Sequence, residues 1–293
     1  MTTISSPKLI DYFWLILLAS IWGSAFVAIE YSLTSYSPFM IAFGRIFMAA
    51  IFVWSLVYIK KLYFPRDIKT WLILILIGIL NNAMPFYLIS WGQQYISAST
   101  TGVMLAIGPF IALILSHFIT HDEKFTFLKL FGVLLGFIGV FILLGDDFLK
   151  GDEDSLYGKF AMIIAVSGYI LSGFLMRKIS HIHILVCSSS MLITASVMML
   201  PFVLFIPFDN FTIFTLPFLS IIYLSLVPTA IASIIRINLV QKVGVQFMSQ
   251  VAYIIPIFAI FWSWVFFDTV PKYVVIIALV FILIGLFIRK IKE

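Results

Sequence analysis

Residues Ser97 to Glu123 read SASTTGVMLAIGPFIALILSHFITHDE, and a shifted version of the stretch returns at Gly244 to Val270. Sliding the chain by 147 positions pairs Ile107 with Ile254, Pro109 with Pro256, Ala112 with Ala259 and Ser116 with Ser263, without a gap. Each copy carries a proline inside an apolar run. Proline lacks an N–H and clashes with the preceding turn, so in water it would break such a helix. In a bilayer it is tolerated where neighbouring helices or a hydrated cavity satisfy the freed carbonyls. Interrupted helices at matching places in two halves point to a binding site near the bilayer midplane. Two ordinary kinks are the competing reading, since Ile and Ala matches come easily in an apolar chain.

Composition settles the solvent. The 293 residues are 63% hydrophobic and 11% charged, with a mean hydropathy of +1.16. A soluble domain carries roughly 25% charged residues. Apolar runs of about 20 residues match a hydrocarbon core of about 30 Å. Ten runs are bounded by charge, Pro or Gly: Tyr12–Leu33, Phe39–Ile59, Trp71–Ser90, Ala98–Ile119, Phe125–Leu144, Gly158–Met176, Ile184–Phe205, Leu216–Leu239, Phe247–Phe267 and Tyr273–Ile288. The first of these follows only Lys8 and is too long for a signal-peptide core, so it is expected to stay attached. One cysteine, Cys187, excludes an internal disulfide and a multi-thiolate metal site and reads as a small packing residue.

The net charge of +5 suggests nucleic acid only until the cations are placed. With the N-terminus cytoplasmic, Lys150, Lys159 and Lys272 fall outside, Arg45 and Arg236 within spans, and the other thirteen of the eighteen Lys and Arg inside. That asymmetry is the positive-inside signal. It sets both termini in the cytoplasm of a cell-membrane protein and leaves no basic face for nucleic acid. The stretch Gly145 to Asp154, GDDFLKGDED, then lies outside and divides the chain. It reads as a solvated linker, with an acidic cation site the lesser alternative. Five spans on each side make the second half enter the membrane from the opposite face. The expected fold is an all-α polytopic membrane protein of ten transmembrane helices in two inverted five-helix repeats, residues 12–145 and 157–290.

Ionisable groups inside spans are costly and usually face a cavity or a partner. Glu30 and Arg45 lie at similar depths in neighbouring antiparallel spans, so an ion pair between them is expected, with a snorkelling Glu30 and a packing Arg45 as the alternative. Arg236, followed by Asn238 and Gln241, either faces a cavity or reaches cytoplasmic phosphates. Asn81 and Asn82 precede Pro85 at mid-depth, and Pro228 falls opposite Asn81 at the same offset of 147. An amide facing lipid would be unsatisfied, so at least one should point inward. Thr100, Thr101, Met104, Gln250 and Tyr253 precede the repeated prolines as a candidate polar rim, with Trp22, Tyr87, Trp91 and Tyr169 as aromatic walls or simple packing. Pro85, Pro109, Pro228 and Pro256 are expected to break their helices. Ser188 to Ser190, and the Gly132, Gly136 and Gly139 spacing, read as scaffold where helices approach closely. Asp122-Glu123 and Asp268-Thr269 read as helix N-terminal acids, with Pro271 at an early helical position. A proton relay through His117 is left open. Motifs for a phosphate loop, a zinc protease or a nucleophile elbow are missing, so no catalytic residue, metal or cofactor is expected.

Ile21-Trp22-Gly23-Ser24-Ala25-Phe26-Val27-Ala28, followed by Pro38 and Arg45, resembles the opening of the EamA branch of the drug/metabolite transporter superfamily. Gly108-Pro109, Asp122-Glu123 and then Gly132, Gly136 and Gly139 are similar to the second half of an EamA unit. The second unit departs from the pattern: Asp268 stands where Glu is usual, and only Ser167-Gly168 answers Trp-Gly. Glu30 is a further departure. The resemblance implies a central cavity lined by helices 1, 3, 4, 6, 8 and 9, with helices 5 and 10 as scaffold. The expected function is secondary active transport, by alternating access, of a small polar metabolite such as an amino acid or other carboxylate. Its partners would be that solute, the bilayer and a coupling proton, through Glu30, or another ion. A passive channel, and a membrane-embedded lipid-modifying enzyme, are the alternatives.

Overall fold

The first helix, α1 (Leu9–Leu33), begins a turn ahead of its apolar run because the Lys8 N–H donates to Asp11 Oδ2 at 2.9 Å. Similar local chemistry starts the next ones. Ser37 Oγ accepts from the Met40 N–H at 3.3 Å, and Pro38, which needs no N–H there, opens α2 (Pro38–Ile59). Asp67 Oδ1 takes the Thr70 N–H at 2.8 Å and opens α3 (Ile68–Gly92). Ser97 caps α4, which runs as Ala98–Leu105 and Gly108–Ile119. Helix α5 occupies residues 131–132 and 134–142, and α6 is Glu153–Lys178. His183 Nδ1 accepts from the Leu185 N–H at 3.2 Å to start α7 (Ile184–Val203). Helix α8 is built of Leu216–Ser225, Leu226–Ile231 and Ala232–Val243; α9 is Val251–Phe267 and α10 Tyr273–Lys290.

The computed structural model describes residues 6–119, 131–132, 134–142, 153–179, 181–205, 214–243, 247–248 and 250–290. Among these, ten helices and no strand are present, and α1, α2, α3, α6, α7 and α8 are each long and apolar enough to cross a membrane. Asp122, Glu123 and linker residues 145–152 lie outside the described residues, as do the side chains of Pro109 and His117. Helix α6 takes up Glu153 and Asp154, so the acidic stretch is partly helical.

Two spans contain a wider, π-type turn: Ile79–Ala83 in α3 and Leu226–Ile231 in α8. Shifting residues 79–83 by 147 lands on 226–230. These turns absorb proline. Pro85 follows the first and occupies an early position of the resumed helix, while Pro228 lies within the second, so neither breaks its span. The chain does break ahead of Pro109, at Ala106 and Ile107. Pro256 does not break its helix: α9 is continuous from Val251 to Phe267, so the cost there is one ladder hydrogen bond. Asp268 does not open α10. It closes α9 in the left-handed region (φ 50°) with its N–H on Trp264 O at 2.9 Å, and Pro271 precedes α10.

The principal packings are α1 on α9, α2 on α3 and α7, α3 on α6 and α7, α4 on α6 and α9, and α8 on α1 and α2. Exchanging each helix for the one five places away returns all of these but α2 on α3, whose counterpart, α7 on α8, is slight. Small residues set the spacing. A Cβ on Gly23 would lie 2.7 Å from Phe258 Cβ and 2.9 Å from the Ala259 nitrogen, so α1 and α9 touch through backbone. Gly136 and Gly139 face Phe110, Ala278, Ile282 and Gly285, which is the close-approach role read for that spacing. Apolar side chains such as Phe47, Ile51, Trp54, Leu72, Ile164, Phe261 and Trp264 point outward, as a lipid-facing surface requires. At one end of the bundle Lys242 Nζ meets Asp11 Oδ1 at 2.6 Å, holding the start of α1 beside the end of α8.

Candidate functional site

Arg45 lies about 10 Å into α2 at ~1.5 Å per residue and is only 7% exposed. Its Nε donates to Thr229 Oγ1 at 2.7 Å, and its guanidinium covers the Phe86 ring at 3.8 Å from the centroid. Thr229 in turn donates to Leu224 O at 2.8 Å. That bond matters because Pro228 has no N–H with which to satisfy the preceding turn. The side chain of α2 therefore ties together the wide turn of α8 and the residue just past the wide turn of α3. Among the described residues the two Nη nitrogens hold no hydrogen bond. A guanidinium left with a free fork is a bidentate receptor for a carboxylate.

The expected Glu30–Arg45 ion pair does not form. Glu30 Oε2 accepts from the Ala98 N–H at 3.3 Å, at the N-terminus of α4, while Arg45 is committed to Thr229 and Phe86. Similar depth brought them level; the α4 N-terminus, with its unpaired N–H groups and positive dipole end, drew the carboxylate away.

Asn81 and Asn82 lie in the wide turn of α3 and face different neighbours. Asn81 Oδ1 accepts from Ser172 Oγ of α6 at 3.1 Å. Asn82 is 4% exposed and its Nδ2 has no partner. Tyr169, one turn before Ser172, is half-buried against the packing around Phe86 and within electrostatic reach of Arg45. Trp22 on α1 donates from Nε1 to Pro228 O at 3.1 Å, satisfying another carbonyl of the α8 wide turn. Beside it, Ser24 Oγ and Tyr223 Oη lie 2.6 Å apart.

The remaining candidates stand elsewhere. Thr101 is buried with Oγ1 on Ser97 O at 3.0 Å, and Met104 is fully buried among apolar side chains, so both serve packing. Tyr87 is exposed, edge-on to Phe39 at 6.3 Å, and Trp91 meets Tyr95 at 5.0 Å. Gln250 precedes α9 and Tyr253 packs on the central apolar cluster. Arg236 is exposed on α8, within electrostatic reach of Cys187 on α7. Thr229, Phe86 and Ser172 were missed by sequence reasoning. A signal for one existed: at the offset of 147, Thr229 answers Asn82.

The EamA-like transporter family model matches residues 9–145 and 156–289. The chain belongs to the EamA-like transporter family. The uncharacterized transporter YoaV of Bacillus subtilis (strain 168) is 22% identical over 251 residues, covering 83% of this chain and 84% of that one. The uncharacterized transporter in the trpA 3' region of Buchnera aphidicola subsp. Schlechtendalia chinensis is 29% identical over 248 residues, covering 83% and 80%. The uncharacterized transporter YetK of Bacillus subtilis (strain 168) is 25% identical over 280 residues, covering 94% and 84%. A crystal structure of a protein 17% identical superposes with a TM-score of 0.68, covering 97% of this chain and 98% of that one, and so shares the fold. With its apolar helices, this EamA-like chain is a multi-pass membrane protein of a transporter family.

Proposed function

We propose that this EamA-like protein is a secondary active transporter that moves a small polar metabolite, such as an amino acid or other carboxylate, across the cytoplasmic membrane. Its two halves, residues 12–145 and 157–290, are inverted five-helix repeats that rock about the Arg45 junction and expose it to either side in turn. Both termini are cytoplasmic, and an ion or solute gradient drives the cycle. The single observation that carries this reading is the buried Arg45, its Nη fork without a hydrogen bond among the described residues, held between the wide turn of α8 and Phe86, three residues past the wide turn of α3. Wider turns recur at functional sites because they free backbone groups and allow local bending. The return of most helix packings on exchange of helices five places apart, and the coincidence of the wide turns at an offset of 147, support the repeat.

Purified protein in liposomes, given a panel of labelled metabolites with and without a pH gradient, tests the proposal. Saturable uptake with counter-exchange is expected. Linear, non-exchanging flux would make the protein a passive channel, and turnover of lipid without uptake would make it an enzyme.

A further inference from the structure

All six described acids lie at helix ends: Asp11 in the first turn of α1, Glu30 in its last, Asp67 before α3, Glu153 and Asp154 opening α6, and Asp268 closing α9. Asp11 is paired with Lys242, and Glu30 is spent on the Ala98 N–H. No described acid is therefore bonded to Arg45: Glu30, level with it in depth, is turned to Ala98 instead. Removing a charge from water is costly unless an opposite charge meets it.

The second group there is also a donor. Asn82 lies one turn before Phe86, whose ring the guanidinium covers, and its buried Nδ2 has no partner. Thr229, its counterpart in α8 at the offset of 147, has Arg45. The corresponding register in α3 holds an amide with nothing to bind. Residues one turn apart on a helix have Cβ atoms about 5–6 Å apart and share a face, so Asn82 neighbours the ring that the guanidinium covers.

We infer that Arg45 Nη and Asn82 Nδ2 together take a carboxylate, and that the cargo is a small organic anion without an ammonium group. This narrows the transporter reading and rests on it. An α-ammonium carried in beside the carboxylate would meet the guanidinium, a like charge, with no acid bonded to that guanidinium to offset it. Anions satisfy both donors and neutralise the site; zwitterions leave it a net cation.

The test uses full-length protein in detergent and in liposomes, with lactate and succinate as anionic probes and alanine and serine as zwitterionic ones. Wild type is expected to be stabilised against heat, and to transport saturably, with the anions and not with the zwitterions. Arg45→Gln should abolish both responses, and Arg45→Lys, which keeps the charge and loses the fork, should weaken them about tenfold. Asn82→Leu should raise the half-saturating anion concentration at least tenfold. Asn82→Asp should do the same and bring alanine and serine into the bound set, a change that mere loss of structure would not produce. Zwitterions acting as strongly as anions on wild type, or Arg45→Gln and Asn82→Asp responding as wild type does, would overturn the inference and leave the transporter reading standing. No response to any metabolite class from folded, monodisperse protein would overturn both.

Discussion

Replacing Thr229 with valine removes one hydroxyl of nearly constant volume and strands two groups. Arg45 Nε loses its 2.7 Å acceptor, and Leu224 O loses its 2.8 Å donor beside Pro228. In water-soluble proteins a hydrogen bond to a charged group contributes ~1.5–3 kcal/mol. Interhelical bonds in membranes average about 0.6 and reach about 1.7 kcal/mol, because the unfolded chain finds other partners in lipid. One bond at the upper end and one near the average make about 2 kcal/mol. For a chain of this size that corresponds to a fall in Tm of about 4–8 °C. Thermal melting in detergent, followed by tryptophan fluorescence, reads it, with Thr229→Ser as the control that keeps both bonds. Coupling sharpens the test: combined with Arg45→Gln, the valine change should cost about 1 kcal/mol less than the two single changes added together. Melting of Thr229→Val together with Thr229→Ser, or strict additivity with Arg45→Gln, would refute the relay from Arg45 through Thr229 to Leu224.

Glu30→Gln should cost only about 0.3–1 kcal/mol, the scale of a carboxylate at a helix N-terminus, and should leave uptake and its response to a pH gradient unchanged in the liposome assay. Gly23→Leu should abolish recovery of folded protein by size exclusion, since even a Cβ there meets Phe258 and the Ala259 backbone. Gly173→Ala, with nothing within 4 Å of the added carbon, should instead stabilise by about 0.5–1 kcal/mol through reduced unfolded-chain freedom. Asp67, ahead of α3, is held below the usual carboxylate range by hydrogen bonds from the Thr70 side chain and backbone. Its stabilising contribution is thus complete above that range and lost as pH falls through the lower native value; Thr70→Val should raise that value, read by NMR titration.

The ten helices were legible because bilayer thickness fixes run length and the cations mark alternate ends. The turns that shape the centre were only half legible. Asn81, Asn82 and Pro228 drew notice as polar or helix-disrupting groups, and the offset joined them, but a wide turn has no residue signature of its own. Pro256 misled because proline within a helix predicts a break in water, whereas α9 absorbs it with one lost bond. Depth counted along a helix made Glu30 and Arg45 level, yet gave no rotation about the axis, and rotation turned one to Ala98 and the other to Thr229. Phe86 and Ser172 were invisible for the same reason: rings and small hydroxyls abound in this chain, and only packing selects those that reach the junction.

Accessibility of the junction from the two faces of the membrane tests the central claim most directly. In a Cys187→Ser background, Ser24→Cys places a single, partly exposed thiol beside Tyr223, just ahead of the wide turn of α8. A membrane-impermeant thiol reagent, applied to either face of liposomes with uniformly oriented protein, should label it from both faces, with cargo shifting the two rates in opposite directions. Labelling from one face alone under every condition, or from neither, would contradict alternating access.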